Sequence, residues 1–263
     1  MLVSAAVCPS PPLLVPAVAA GAAPELDAAR AACADALGVL AAARPDRLVV
    51  VGPAERGTGG TEAHARGAVG SFRGFGVAVD VVLGAAGPGG PETDCAGTED
   101  GRTDDPGTGS AVRRHRPVLP ASLAVAAWLL EQVRWSAAPV SALAVDPALA
   151  TDRCVLAGQE IAARADRVAL MVMGDASACR TLKAPGYLDE RAAHFDASVA
   201  AALAAADVAA LTALGVEPAA GLKAAGRAPW QVLAGAAGGA GLAGALLYED
   251  APYGVGYLVA AWS

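Results

Sequence analysis

Polar side chains of the kind that bind or transform small molecules stand at four places in this chain. Ser10 lies in Val7-Cys8-Pro9-Ser10-Pro11-Pro12, and Glu55 follows Gly52-Pro53-Ala54. Asp175 and Ser177 sit in Gly174-Asp175-Ala176-Ser177-Ala178-Cys179, and Arg227 opens Arg227-Ala228-Pro229-Trp230. A carboxylate such as Asp175 can orient a substrate or take a proton, and a hydroxyl such as Ser177 can bond the same ligand. The competing reading is a turn in which Asp175 caps its own backbone. The segment lacks the Gly-x-Ser-x-Gly spacing of a nucleophile elbow and is too short to cradle a nucleotide phosphate. Arg227 could meet an anion at a helix start, where backbone N–H groups are free. The plainer alternative is a surface arginine beside a tryptophan that packs in the core.

Imidazole is scarce, with only His64, His115 and His194 in the chain. Glu55 and Glu62 flank a Gly-rich stretch that carries His64. One imidazole with loose carboxylates falls short of the two histidines and one carboxylate that non-haem iron commonly takes, so solvated loop residues are expected. His194, in Arg191-Ala192-Ala193-His194-Phe195-Asp196, reads as a surface or packing residue of a helix. Cys8 and Cys179 lie near two of the marked segments. A reactive thiol needs a depressed pKa and an electropositive neighbour, and Arg180 beside Cys179 is adjacent only in sequence, so both are expected to be inert. The five cysteines (Cys8, Cys33, Cys95, Cys154 and Cys179) are widely spaced with no Cys-x-x-Cys pair. That pattern predicts reduced thiols in a cytoplasmic protein, neither a disulfide framework nor a Cys-ligated zinc.

The elements that must position these residues alternate between strand and helix. Leu2 to Val7 reads as a buried strand, Pro24 to Ala43 as an amphipathic helix, and Arg47 to Val51 as a second buried strand. Residues 54–76 read as an irregular Gly-rich segment and Val77 to Leu83 as a third strand. The span 84–116 is rich in Gly, Pro, Asp, Glu and Thr, which predicts a mobile surface loop. A helix follows over Pro120 to Val133, then a strand over Val140 to Val145. Asp146 is suited to N-cap the next helix and Pro147 to its first turn, with the helix running to about Ala165. Arg167 to Met173 is the expected central strand. Helices are predicted over Tyr187 to Ala205, Val208 to Leu214 and around Trp230 to Ala236, and strands over Leu242 to Tyr248 and Tyr253 to Ala261. Continuous apolar strands separated by helices predict an α/β fold: a single domain over 1–263, with a mostly parallel central sheet flanked by helices. In such sheets ligands bind beyond the carboxyl ends of the strands, which is where Ser10, Glu55, Asp175 and Ser177 fall.

Composition narrows the function. The chain has 263 residues, of which 55% are hydrophobic but only 4% aromatic, so Leu, Val and Ala must fill the core. The abundance of Ala, Gly, Pro and Arg is that of a GC-rich, actinobacterial-type coding bias. A net charge of −7 and a pI near 4.9 argue against nucleic-acid binding. The one basic run, Arg113-Arg114-His115-Arg116, reads as a solvated loop. Prolines at 9, 11, 12 and 16 interrupt the first apolar stretch, and no Lys or Arg precedes Arg30, which argues against an export signal. No apolar run is long enough to predict a membrane span.

Taken together, several segments resemble the LigB-like family, the catalytic B subunit of class III extradiol ring-opening dioxygenases and its relatives. They are Val7-Cys8-Pro9-Ser10-Pro11-Pro12, Pro45-Asp46-Arg47-Leu48-Val49-Val50-Val51, Met173-Gly174-Asp175-Ala176-Ser177-Ala178 and His194-Phe195-Asp196. Two more lie near the end of the chain: Pro229-Trp230-Gln231-Val232-Leu233-Ala234-Gly235-Ala236 and Ala251-Pro252-Tyr253-Gly254-Val255-Gly256-Tyr257. The match points to an uncharacterised actinobacterial branch described as extradiol-dioxygenase-subunit-B-like. The resemblance implies a LigB-like α/β fold and Fe(II) held by two histidines and a glutamate, with a further histidine as acid and base. The positions that should carry those groups do not. The first ligand position reads Ser10; the second offers Glu55 and, further on, His64; the acid/base position falls near Ala178; no carboxylate precedes the Trp230 helix. The expectation is therefore a LigB-like domain that has lost its iron site and has no predicted cofactor. It would bind a small molecule through Ser10, Glu55, Asp175, Ser177 and Arg227. Two other classes stay open. One is a non-haem oxidoreductase with displaced ligands drawn from Glu55, Glu62, His64, Glu249 and Asp250. The other is a non-catalytic scaffold or partner subunit, either a homo-oligomer or paired with another chain.

Overall fold

The structure is a computed structural model, and it describes residues 1–55, 57–84 and 118–263. The loop expected over 84–116 lies, apart from Gly84, outside the described residues, as does the Arg113-to-Arg116 run.

The first half alternates as its hydrophobic pattern predicts. Strand β1 (Leu2–Cys8) leads through a short helix α1 (Pro16–Ala19) and a 3-10 turn (Ala20–Leu26) to helix α2 (Asp27–Ala42) and strand β2 (Arg47–Pro53). The α-helix begins three residues later than expected because Pro24 lies inside the 3-10 turn and lacks the N–H that an α-helical bond requires. The segment 54–76 is more ordered than its glycines suggest. It holds β3 (Thr61–His64) and β4 (Val69–Ser71), and β4 pairs with a shortened third strand, β5 (Asp80–Val82), in a separate two-stranded sheet. Helix α3 (Ala121–Gln132), strand β6 (Val140–Val145), helix α4 (Thr151–Ala162) and strand β7 (Val168–Met173) follow. Then come α5 (Arg191–Ala204), α6 (Val208–Thr212), α7 (Val216–Gly221), α8 (Arg227–Ala237), β8 (Gly244–Asp250) and β9 (Tyr257–Trp262).

Asp146 does not cap α4. Its Oδ1 accepts the Ala148 N–H at 2.8 Å, and its backbone oxygen accepts the Leu149 N–H at 2.9 Å, which closes a tight turn before the helix starts at Thr151. Its Oδ2 accepts the Gly59 N–H at 2.7 Å, so one carboxylate ties two loops together. These backbone donors hold the Asp146 carboxyl below its ordinary pKa. Helix α5 likewise starts at Arg191 rather than Tyr187, because the Asp189 carboxylate takes the Arg191 N–H at 2.9 Å.

The main sheet has seven strands in the order β3-β6-β2-β7-β1-β9-β8. Its centre, β6-β2-β7-β1, is parallel, while the β3–β6 pair on one side and the β1–β9 and β9–β8 pairs on the other are antiparallel. The sheet is therefore mixed, with a parallel core and antiparallel edges. Helices cover both faces. On one face Leu26, Cys33 and Leu37 from α2 and its lead-in pack with Leu123, Trp128 and Leu130 of α3. On the other, Ile161 of α4, Val199 of α5 and Trp230 and Leu233 of α8 form a second core. Every residue of β7 is buried, as befits a strand covered on both faces. At about 1.5–3 kcal/mol per large aliphatic side chain, these two layers dominate the stability of the fold.

Small residues let the helices of the second face close tightly. A methyl group on Gly158 of α4 would lie 2.0 Å from the Val232 carbonyl oxygen of α8, and one on Gly235 would lie 2.1 Å from that of Val155. No helix among the described residues is long and apolar enough to cross a membrane.

Candidate functional site

The strand order brings the marked segments together around β7. Strand β1 sends its chain to α2 on one face of the sheet. Its neighbour β7 sends its chain to α5 and α8 on the other. Adjacent parallel strands whose connections leave on opposite faces open a crevice at their carboxyl ends, the usual ligand position in open α/β sheets. Ser10 and Asp175 sit at the two sides of that crevice. The Ser10 N–H donates to Asp175 Oδ1 at 2.7 Å, and its hydroxyl lies 3.5 Å from Oδ2. Asp175 therefore does not cap its own backbone; its carboxylate bridges to a different strand.

Ser10 is buried and Asp175 is partly exposed. Burial pushes the Asp175 carboxyl up to about 6, and the Ser10 N–H and hydroxyl pull in the opposite direction. The phenol of Tyr257, at the start of β9, lies close enough for Asp175 to raise its pKa further, after the larger effect of burial. The register explains the approach: β9 runs antiparallel to β1, with Ala260 opposite Val7, so its first residue falls beside the chain just past β1. A partly exposed carboxyl group with its pKa raised to about 6, beside a hydroxyl, can bind a polar ligand and exchange a proton with it.

The other expected site residues do not join this set. Ser177 turns inward, where its N–H donates to Asp196 Oδ1 at 2.8 Å and its hydroxyl to Oδ2 at 2.9 Å. Arg180 completes that network with an ion pair to Asp196 at 3.0 Å. Ser177 is fully buried, so it locks the loop after β7 onto α5 and is not directed at the crevice. Arg227 is neither a surface residue nor a crevice residue. Its guanidinium donates to Pro147 O at 2.5 Å, Leu149 O at 2.7 Å and Gln231 Oε1 at 2.8 Å, which pins α8 to the turn after β6. Glu55 is exposed, because the Ala54 N–H bonds to Val145 O and draws the chain after β2 toward β6, away from β7.

Tyr257 and Asp196 escaped the residue-by-residue reading of the sequence, and Arg180 entered it only as the sequence neighbour of Cys179, not as the partner of Asp196. Tyr257 and Asp196 lie in segments quoted for the family resemblance, but nothing local marks either as polar partners of a residue far off in the chain.

The described residues around Ser10 and Asp175 do not form an iron site. Among the described residues no group of three or more His, Cys, Asp or Glu side chains could hold a metal ion. His64 is buried on β3 and His194 is exposed on α5; neither belongs to the Ser10–Asp175 crevice. Glu62 and His64 on β3 and Glu249 and Asp250 on β8 occupy opposite edges of the main sheet. At the usual strand spacing they are roughly 25–30 Å apart, so they cannot serve one metal. His115 lies outside the described residues.

Cys8 at the end of β1 and Cys179 in the loop after β7 are buried, as is Cys154 on α4. Burial raises the Cys179 pKa, and the Cys154 pKa rises to about 11 for the same reason.

No family model matches this chain, and no curated protein matches it significantly. Among solved structures it is similar to the crystal structure of an uncharacterised protein from Escherichia coli. That pair shares 14% identity over 99% of each chain, with a TM-score of 0.48.

Proposed function

We propose that this chain is a LigB-like α/β protein that binds a small polar molecule in the crevice between β1 and β7, with Asp175 as its central contact. One observation carries the reading. At the point where strand connections diverge, Asp175 is partly exposed, its carboxylate is bonded among the described residues only to Ser10, and burial raises its pKa to about 6. Its protonated form donates a hydrogen bond to a ligand and its ionised form accepts one. Ser10 holds the carboxylate in place through its backbone N–H, and the buried Tyr257 phenol lies near enough for the Asp175 charge to act on it. No metal step belongs to this reading, because the donor set around Asp175 is not one that grips iron.

The test is thermal-shift screening at pH 7.5 with catechols and small hydroxy acids, each with and without EDTA. The expected result is at least one stabilising compound whose effect survives the chelator and disappears in Asp175→Asn. Stoichiometric iron in anaerobically purified protein, or oxygen uptake on adding a catechol, would sink the proposal.

A further inference from the structure

Helices α2 and α3 leave a cavity of about 220 Å³ between them. Arg30 and Ala34 line it from α2, and Trp128, Leu129, Gln132 and Val133 from α3. Pro16, at the start of α1, closes one side. Neither Ser10 nor Asp175 belongs to its lining.

The residue types explain the space. Side chains four positions apart stack on one face of a helix. On α2 that row reads Arg30, Ala34, Gly38: a long side chain, a methyl group, then none. A methyl on Gly38 would meet nothing within 4 Å, so α2 offers nothing to fill the gap. On α3 the rows are Trp128 with Gln132 and Leu129 with Val133. The indole ring, Leu129, Val133 and Pro16 make most of the wall apolar.

The fixed polar groups of this wall are hydrogen-bond donors. Trp128 is only 9% exposed, and its indole N–H has no acceptor among the described residues. It is not sealed in protein as the N–H of Trp230 is, and the open space beside its ring is this cavity. Arg30 is the second donor. Its Nη1 donates to Leu14 O at 3.3 Å, and its Nη2 donates to Ala23 O at 2.7 Å and to the Asp27 carboxylate. A guanidinium has five N–H groups, so these three bonds fix the head group and leave two donors over.

Charge agrees with this inventory. The Asp27 side chain is 72% exposed, so solvent screens its pairing and Arg30 keeps positive potential at the cavity. Among the described residues no carboxylate lines the cavity. An apolar recess with an indole N–H and a held guanidinium is complementary to a hydrocarbon body that ends in an anionic oxygen pair.

We infer that the cavity between α2 and α3 binds a small apolar carboxylate, a one-ring or short-chain acid. Its carboxylate accepts from Arg30 and from the Trp128 N–H, and its hydrocarbon part lies against Pro16, Leu129 and Val133. The volume falls below the roughly 300–1,000 Å³ of sites for drug-sized ligands, which limits the occupant to a small molecule. This site shares no residue with the Ser10–Asp175 crevice, so the inference does not rest on that reading.

The test is a 15N–1H spectrum of the four tryptophan indoles during separate titrations with benzoate, hexanoate and benzamide. Sodium chloride holds the ionic strength constant. Benzamide has the shape of benzoate without its charge. Trp135 and Trp262 act as internal controls, since their Nε1–H groups already donate to Ala138 O and Leu203 O. The Trp128 peak is assigned through the backbone. Ala34→Leu then fills the cavity from an exposed position of α2 with a residue that suits a helix.

The expected result is a saturable shift of the Trp128 peak alone with benzoate or hexanoate. Benzamide should bind at least about tenfold more weakly than benzoate, the difference expected for losing a charged hydrogen bond. In Ala34→Leu the shift should disappear. The inference fails if neither acid moves the peak, if benzamide binds as well as benzoate, or if folded Ala34→Leu still responds. Should Ala34→Leu not fold, the wild-type comparison of benzoate with benzamide still decides. Asp175→Asn separates the two proposals: it abolishes the crevice response and leaves the Trp128 shift.

Discussion

Asp175 shows how one residue's chemistry is set by what faces it. A carboxyl raised to about 6 in the folded state, from an ordinary 3.8, binds its proton more tightly there than in the unfolded chain. Folding is then opposed by this group above about pH 6, and the penalty is relieved as the pH falls from there toward 4. The tighter hold on the proton corresponds to no more than about 3 kcal/mol, and less for a group that is partly exposed. Asp175→Asn, which can still accept the Ser10 N–H, should therefore be more stable than wild type at pH 7.5 and indistinguishable from it near pH 4. Urea denaturation at the two pH values checks this, and a variant less stable at pH 7.5 would contradict it. Ser177 teaches the opposite lesson. It stands two residues away, but its hydroxyl and N–H both serve a buried carboxylate, Asp196, which makes it part of the scaffold.

Among the elements, α4 and α8 form the most sensitive contact. Gly158 and Gly235 bring each backbone against the carbonyls of the other helix, a contact that the hydrophobic pattern of neither helix reveals. Gly158→Ala should cost about 1–3 kcal/mol, because its new methyl meets a backbone oxygen that cannot rotate away. The same change at Gly38 of α2, which has nothing within 4 Å, should be neutral or slightly stabilising. Thermal unfolding of the pair measures the contrast, and equal effects would remove the packing explanation. Helix α8 matters beyond its packing, since Arg227 ties it to the turn after β6 and its start faces the loop after β7.

Across the whole molecule, apolar layers cover both faces of the sheet and seal the thiols inside. Cys8, Cys33, Cys154 and Cys179 are all buried and unpaired. The Cys33 thiol is held well above its ordinary pKa, chiefly by a hydrogen bond with Cys8 and by burial. In a Cys95→Ser background, Ellman's reagent should label none of the four within the lifetime of the native state and all four in denaturant. Fast labelling of one in the native protein would mean that its helix layer opens locally.

How much of this was legible in the chain depends on the range of the interaction. Apolar runs and their periodicity mark β1, β2, β6 and β7 and the helices between them, because those signals are local. The same local signal misplaced the starts of α4 and α5, where Asp146 and Asp189 turn their carboxylates to nearby backbone N–H groups before the helix begins. It also missed two short strands: β3, whose partner β6 lies far off in sequence, and β4, which has only three residues and pairs with the nearby β5.

By itself the sequence determined an α/β chain with polar residues at the ends of its buried strands. Only the tertiary structure decided which of them meet. Ser10 and Asp175 are 165 positions apart and touch because β1 and β7 are neighbours. Ser177 and Arg227 carry equally polar groups but are turned into the protein by Asp196 and by the carbonyls of Pro147 and Leu149. Hydrogen bonds act over about 3 Å of space, whatever the distance along the chain, so the fold had to choose the partners.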